Sequence, residues 1–400
     1  MLEDVGAFSY VPKNDLENRA GRLCSLLAGA GVDFAVIIQN VDRFYFTGTM
    51  QKGVVIIPVD NDPLVFVEKG FERAEAETPF EIIPVKNDRQ VRDILLGRNI
   101  LPGKAGLELD VLPVNTFERT QRVVGFREYA DISEFIRSVR MIKSSYEIDQ
   151  LRQSGEMLSR VFEAAPKEIR EGRTELEIEA VLVAKGRTIG HHGLMRMRGL
   201  NQEMVMMTVQ AGFTGAVPTF LDAPITGSGV TPAIPQGSSF KRVERGIPVT
   251  IDYGGGYNGY ITDETRTFVV GELKEIFRKP CETAREIIDE TLRYARPGID
   301  STELFLRAQK MADDRGLADY FMGHGEGQVP FIGHGIGLEI NELPILTGRH
   351  RRPLEEGMVF AFEPKFVLPG HGAVGIEIDC IVTANGIERL TSSPIDIVCL

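Results

Sequence analysis

VTIDYGGGYNGYITDETRTFVVG, residues 249–271, sets the architecture expected of the C-terminal half. Two β-prone runs flank Asn258–Gly259, a strong hairpin signal. Asp252 and Asp263 lie almost symmetrically about that turn, which makes them direct or diagonal cross-strand neighbours. Like charges so placed repel unless a cation sits between them. The pattern repeats downstream in MVFAFEPKFVLPGHGAVGIEIDCIVT, residues 358–383, read as strand, Pro–Gly–His–Gly turn, strand. Glu363 and Glu377 are symmetric about Gly370, and each follows apolar residues: Phe360, Ala361 and Phe362 before the first, Val374 and Ile376 before the second. Buried carboxylates are rare unless paired or bound to metal. A single imidazole, His334, comes from FIGHGIGLEINELP (331–344), where flanking glycines let the backbone pass close to a crowded site.

Together these five side chains predict one site. Four carboxylates in a low-dielectric pocket repel strongly. Two divalent cations cancel that charge, and sites of that kind activate water. Oxygen-rich ligation with one imidazole suits Mn²⁺, Fe²⁺, Co²⁺ or Zn²⁺, and two Mn²⁺ ions are the first expectation.

Working outward, 400 residues are too many for one ordinary domain. The first unit is expected over 1–138 as an α/β layered domain. It opens with an amphipathic helix at 16–31 and a buried strand FAVIIQN at 34–40. A hairpin pairs 53–59 with 63–69, the strands EIIPVKN and AGLELDV follow, and helices lie near 88–98 and 114–123. The second unit, 139–400, begins with a helix over SSYEIDQLRQSGEMLSRVFEAA, where Ser145 is placed to cap and Ile148, Leu151, Met157, Leu158 and Phe162 form the apolar stripe. A second helix spans 174–190 with Thr174 as its cap, and later helices are expected at 272–296 and 301–315. Residues 211–238, rich in Gly, Pro, Thr and Ser, read as a long functional loop over the site.

The net charge of −12 disfavours nucleic acid and anionic membrane as partners. The four cysteines, Cys24, Cys281, Cys380 and Cys399, are scattered and form no C-x-x-C pair, which fits a reducing compartment. The opening MLEDVGAFSYVPKND has neither a basic n-region nor an apolar h-region, so no signal peptide is read and a cytoplasmic protein is expected. GGGYNG (254–259) lacks the Lys-Ser/Thr of a phosphate loop and opens a strand instead of a helix. MVMM (204–207) reads as core packing, and His324, His350 and His371 as loop or solvated residues.

TIDYGGGYNGYITDETRTF, GHGIGLEINELP, AFEP and GIEIDCIVT resemble the successive motifs of the aminopeptidase P, prolidase, methionine aminopeptidase and creatinase superfamily, the pita-bread fold. The segment ending FYFTGT is similar to the creatinase-type N-terminal domain. The resemblance covers nearly the whole chain. It implies an α/β N-terminal domain plus an α+β pita-bread catalytic domain, and a homodimer. It also implies a metal cage in which Asp263 and Glu377 bridge two ions, Asp252 holds one, and His334 and Glu363 hold the other. Glu363 is further implied as the carrier of the proton of the attacking hydroxide, and Arg266 as a partner of a ligand carboxylate.

The chain departs from that pattern at three family histidines. Gln236, Pro330 and Asn341 stand in their places. Gln236 and Asn341 can still donate to a scissile carbonyl or an oxyanion, but they cannot shuttle a proton near neutral pH. His191, His192 and His324 are the remaining candidates for a proton route. In GHHGLMRMRG (190–199) a solvated or subunit-contact turn is the bland reading, and a substrate carboxylate on Arg196 or Arg198 the sharp one. The expectation is a binuclear metallo-exopeptidase acting on a small peptide or amino-acid-derived substrate. Its rivals are a family member acting on a non-peptide C–N bond, a metal-dependent lyase, and a non-catalytic binding protein.

Overall fold

The computed structural model describes residues 8–86 and 88–400. Met1–Ala7, the first half of the stretch read as free of a leader, and Asn87, the last residue of the EIIPVKN reading, lie outside the described residues. The chain divides into two compact units, Met1–Arg140 and Met141–Leu400.

The first unit carries strands β1 (Phe34–Ile37), β2 (Lys52–Pro58), β3 (Leu64–Lys69), β4 (Glu81–Pro84), β5 (Lys104–Leu107) and β6 (Glu128–Asp131). They form one sheet in the order β4-β3-β2-β1-β5-β6. β2 pairs antiparallel with both β1 and β3, while the β3–β4, β1–β5 and β5–β6 pairs are parallel. Phe34, Val36, Ile56, Phe66, Leu95, Leu107 and Val124 pack into its core. This is the layered α/β unit expected from the alternation of strand and helix patterns.

The second unit begins with helix Ser145–Phe162. Its cap is Ser144, one residue earlier than expected: Ser144 Oγ accepts from Glu147 N at 3.3 Å, and the Glu147 carboxylate accepts from Ser144 N at 3.1 Å. The reciprocal box needs Glu three residues on, which Ser144 has and Ser145 lacks. Leu151, Met157, Leu158 and Phe162 are buried along one face, with Ile148 half-buried. Thr174 caps Glu175–Thr188 by the same kind of box.

Strands β7 (Met207–Ala211), β8 (Pro248–Gly254) and β9 (Asp263–Val269) build one sheet, completed by the C-terminal β17 (Val398–Cys399). A second sheet has the order β11-β10-β12-β15-β16, from β10 (Phe331–Gly335), β11 (Glu342–Thr347), β12 (Val359–Phe362), β15 (Ile378–Thr383) and β16 (Gly386–Arg389). Strands β13 (Lys365–Leu368) and β14 (Gly372–Gly375) pair on their own. Each large sheet has a helical cover. Leu158, Phe162, Ile178 and Leu182 pack with Val209, Val249, Ile251 and Phe268. Phe277, Ile288 and Leu304 pack with Ile332, Phe360, Phe362 and Cys380. The sheets meet where Glu377 N donates to Thr265 O at 3.1 Å and Asp263 N donates to Asp379 Oδ2 at 2.9 Å.

Two readings are refined. Asp252 pairs with Thr265 and Gly254 with Asp263, so the two aspartates are diagonal neighbours, not direct ones. Asn258 and Gly259, with φ of 48° and 87°, make the tight turn between the strands. The 358–383 segment is not one simple hairpin. Its register is continuous, Phe362 with Ile378 and Lys365 with Gly375, but the ladder breaks into two sheets at Glu363–Pro364. Pro364 has no N–H to give to a ladder. Its carbonyl still accepts from Ile376 N at 3.3 Å, so the hairpin bends without losing alignment.

The glycines around His334 are required by close backbone approach. A Cβ on Gly333 would run into Ala361 O, and one on Gly335 into Leu343 O. Gly335→Ala is expected to destabilise the chain by about 3 kcal/mol, the upper part of the overpacking range. Chemical denaturation of the purified variant against the parent checks this.

Candidate metal centre

The bend and the two sheets bring all five expected residues to one place. Asp252 lies on β8 and Asp263 begins β9. His334 is on β10, Glu363 follows β12, and Glu377 precedes β15. Asp263, Glu363 and Glu377 are buried, while Asp252 and His334 are half-buried. Asp263, His334 and Glu377 each offer a ligand atom within 4.8 Å of the others. His334 Nε2 stands 3.9 Å from both Asp263 Oδ2 and Glu363 Oε1.

Two residues at the centre were missed in the sequence. The Lys365 ammonium lies 2.7 Å from Glu377 Oε2, 2.8 Å from Glu363 Oε2 and 3.0 Å from Asp252 Oδ2. Only 3% of its side chain is exposed. Thr265 Oγ1 lies 2.8 Å from Asp252 Oδ2 and 2.7 Å from Glu377 Oε2. Both follow from strand periodicity. Residues two apart share a face of a strand, so Lys365 joins Glu363, and Thr265 joins Asp263. Opposite Lys365 stands Gly375, where a Cβ would come within 2.5 Å of Lys365 Cγ.

The same periodicity corrects the role expected of Arg266. It faces away from Thr265, and its guanidinium bonds main-chain oxygens of Glu377 (2.6 Å) and Thr265 (2.8 Å) together with the Glu264 carboxylate. It grips the backbone carrying the ligands and touches no ligand carboxylate.

Burial pushes Asp263 well above the ordinary carboxylate range, helped by Glu377 and Asp252. Burial also raises Glu377, to about 8, with Lys365 pulling down and Glu363 and Asp252 pushing up. For Lys365, burial alone lowers the pKa, but Asp252, Glu363, Glu377 and Asp263 outweigh it and keep the ammonium charged well above the usual range. Asp379, beneath Asp263, is raised chiefly by burial.

These residues fit one divalent ion. Glu377 Oε1 is buried without a hydrogen-bond partner, and with Asp263 and His334 it offers the mixed oxygen and nitrogen donors that such ions prefer. The second ion is implied beside Asp252, Asp263 and Glu377, and there Lys365 Nζ already contacts Asp252 Oδ2 and Glu377 Oε2.

The other expected site residues are engaged elsewhere. Gln236 Nε2 donates to Glu203 O at 2.8 Å. Asn341 clips the Arg198 backbone at both ends, accepting from its N–H (2.8 Å) and donating to its C=O (2.9 Å). These amides act on the main chain and not on the open cage. Pro330 is exposed and accepts from Thr347 Oγ1 at 2.6 Å. Arg198 is buried, 3.8 Å from Glu339, and the Arg196 carbonyl accepts from Ile340 N. His191 is buried, with Nε2 on Gly254 O and Nδ1 accepting from Gly193 N. His324, His350 and His371 are exposed.

Comparison with known proteins identifies the family. Residues 149–384 match the model of metallopeptidase family M24, and residues 19–142 match the creatinase/prolidase N-terminal domain. The chain belongs to metallopeptidase family M24. It is 30% identical to an Xaa-Pro dipeptidase of Pyrococcus furiosus, over 94% of this chain and 99% of that protein. The prolidase structure from Pyrococcus horikoshii superposes with a TM-score of 0.79 at 26% identity, covering 94% of this chain and 99% of that one. The Xaa-Pro dipeptidase structure from Bacillus anthracis gives 0.82 at 27% identity, covering 96% and 100%. As an M24 member the chain has the creatinase-type N-terminal domain and the pita-bread catalytic domain, and it is a metallopeptidase-type hydrolase. Among the described residues, no helix is long and apolar enough to cross a membrane.

Burial, then the neighbouring His191, lowers His192 to about 4. A histidine so lowered is neutral at pH 7 and does not exchange protons there. Its folded pKa lies below its unfolded value near ~6.5, so the unfolded chain binds the extra proton first. Its contribution to stability is complete above pH ~6.5, falls as the pH drops, and levels off near the folded pKa. Replacing His192 by Asn should flatten that part of the stability–pH curve, measured by urea denaturation between neutral and acidic pH.

Proposed function

We propose that this chain is a metal-dependent exopeptidase acting on short peptides, a dipeptidase of the Xaa-Pro kind. The observation that carries the reading is the way Glu363 divides its carboxylate. Oε2 is held by Lys365 at 2.8 Å, while Oε1 faces His334 Nε2 at 3.9 Å. One oxygen is anchored and the other is directed at the place where Asp263, His334 and Glu377 converge.

An ion held by Asp263, His334, Glu363 and Glu377 would lower the pKa of a water molecule and polarise the scissile carbonyl. Glu363 takes the proton of the attacking water and delivers it to the leaving nitrogen, a role that needs a carboxylate fixed in direction within reach of both. Lys365 fixes it. Arg266 holds the main-chain oxygens of Glu377 and Thr265, so the two sheets keep their spacing while the proton moves. We assign Gln236 and Asn341 a positioning role, because their amides brace the Glu203 and Arg198 segments.

The reading is supported by the family, by the relatives named Xaa-Pro dipeptidase, and by the donor set. The absent histidines at Gln236, Pro330 and Asn341 favour a small non-peptide substrate as the second reading.

Glu363→Gln keeps the shape and removes the base. Hydrolysis of Xaa-Pro dipeptides in the presence of Mn²⁺ should fall by about 10²–10⁴-fold. A variant as fast as the parent would remove Glu363 from the reaction. Chelator treatment of the parent should abolish the same activity and added Mn²⁺ restore it. Turnover of amidino compounds in place of every Xaa-Pro peptide would move the assignment to the second reading.

A further inference from the structure

Lys365 is the one component of the centre that a two-ion cage does not call for. Its ammonium makes three short contacts, at 2.7, 2.8 and 3.0 Å, with oxygens of Glu377, Glu363 and Asp252. An ammonium has three N–H donors and no acceptor. Three carboxylates therefore saturate it, and it has no donor left over for a substrate. Nor is it a flexible surface group lying across the cage. Its stem begins β13, crosses the bare face of Gly375 and is buried throughout.

The oxygens are divided in a way that fits two cations of different kinds. Glu363 gives Oε2 to Lys365 and turns Oε1 towards His334. Glu377 gives Oε2 to Lys365 and Thr265 and leaves Oε1 buried without a hydrogen-bond partner. Both carboxylates bridge from the ammonium to the place beside Asp263 and His334. Asp252, the residue implied to hold the other ion, puts its Oδ2 on Lys365 and Thr265 instead. Carboxylate oxygens lie about 2.0–2.2 Å from a divalent ion of the zinc type. An ion beside Asp252, Asp263 and Glu377 cannot take Asp252 Oδ2 or Glu377 Oε2 at that distance while the Lys365 nitrogen sits on both.

We propose that Lys365 is a built-in cation: its ammonium engages Asp252 and Glu377, two of the three ligands of the second ion implied beside Asp252, Asp263 and Glu377, and so stands in for that ion, while the centre takes one ion, beside Asp263 and His334. This rests on the metal-dependent reading above for the ion it leaves in place. The ammonium neutralises and spaces the carboxylates but has no site for water or a substrate oxygen. Water activation would therefore fall to one ion alone, with Glu363 held between that place and the lysine.

The test is metal stoichiometry on the full chain, read by elemental analysis and by titration with Mn²⁺. Lys365→Gly clears the place, and Lys365→Arg keeps a cation in it. The glycine variant is expected to bind about one ion more per chain than the parent, filling out the two-ion arrangement, while the arginine variant matches the parent. No gain in a folded glycine variant, or two ions in the parent, would overturn the proposal. The count in the parent reads the function separately: one ion supports the metal-dependent reading, whereas none sinks it even if the glycine variant gains an ion and upholds the lysine. If the glycine variant fails to fold, crystals of the parent grown with Mn²⁺ decide by anomalous scattering. Absence of a peak beside Asp252, Asp263 and Glu377, with Lys365 Nζ still in contact with Asp252 and Glu377, supports the proposal. A peak at that place with the lysine swung aside refutes it.

Discussion

Charge compensation at the seam between two sheets is the constraint on which the catalytic unit depends. Asp252, Asp263, Glu363 and Glu377 converge from two hairpins, and Asp379 lies directly behind them. Burying that many carboxylates without cations is unfavourable by far more than the net stability of a domain. Lys365 supplies one positive charge from within the chain. Burial and the neighbouring acids push Asp263 and Glu377 above the ordinary carboxylate range, which is the remainder of that unfavourable charge. Folding, protonation and metal binding are thus linked through a few atoms.

The scaffold spends its main-chain bonds on this seam. Thr265 and Glu377 are tied by backbone as well as side chain, and Arg266 clamps both carbonyls from the opposite face of β9. Glu342 performs a similar task near His334. Its carboxylate accepts from Leu338 N and Glu339 N and meets Lys143 at 3.0 Å, closing the turn that follows β10. Each large sheet keeps its own helical cover, so the polar centre lies between two apolar cores and interrupts neither.

Much of this was legible in the sequence, and the failures have a common cause. Acids repeated about a turn are visible because buried like charges are abnormal. Asn258–Gly259 and the glycines beside His334 announce backbone geometry directly. The first unit's strands and the capped helices follow from periodicity and local chemistry. What the spacing of the acids does not reveal is the lysine that stands among them. Charge balance among the acids points to metal, whereas the strand repeat is what places a lysine on the same face as Glu363. Applied one residue pair further, the period of two sets Lys365 beside Glu363 and turns Arg266 away from Thr265. The shift from Ser145 to Ser144 at the helix cap is the same lesson on a smaller scale. Gln236 and Asn341 could not have been resolved this way, since an amide that braces a distant loop has the same local signature as one that faces a substrate.

Gly375 offers nothing to the chemistry, yet it determines what can stand opposite it. The lysine stem occupies the volume that any side chain there would fill. The two positions are therefore sterically coupled, since a side chain at 375 must displace the stem at 365. A lineage that enlarged residue 375 first would evict the ammonium, and one that shortened residue 365 first would leave a hollow lined by acids. Passage between a lysine-filled and an open cage is easiest in one order: the stem must shrink before its neighbour grows, with a dissolved cation bridging the interval.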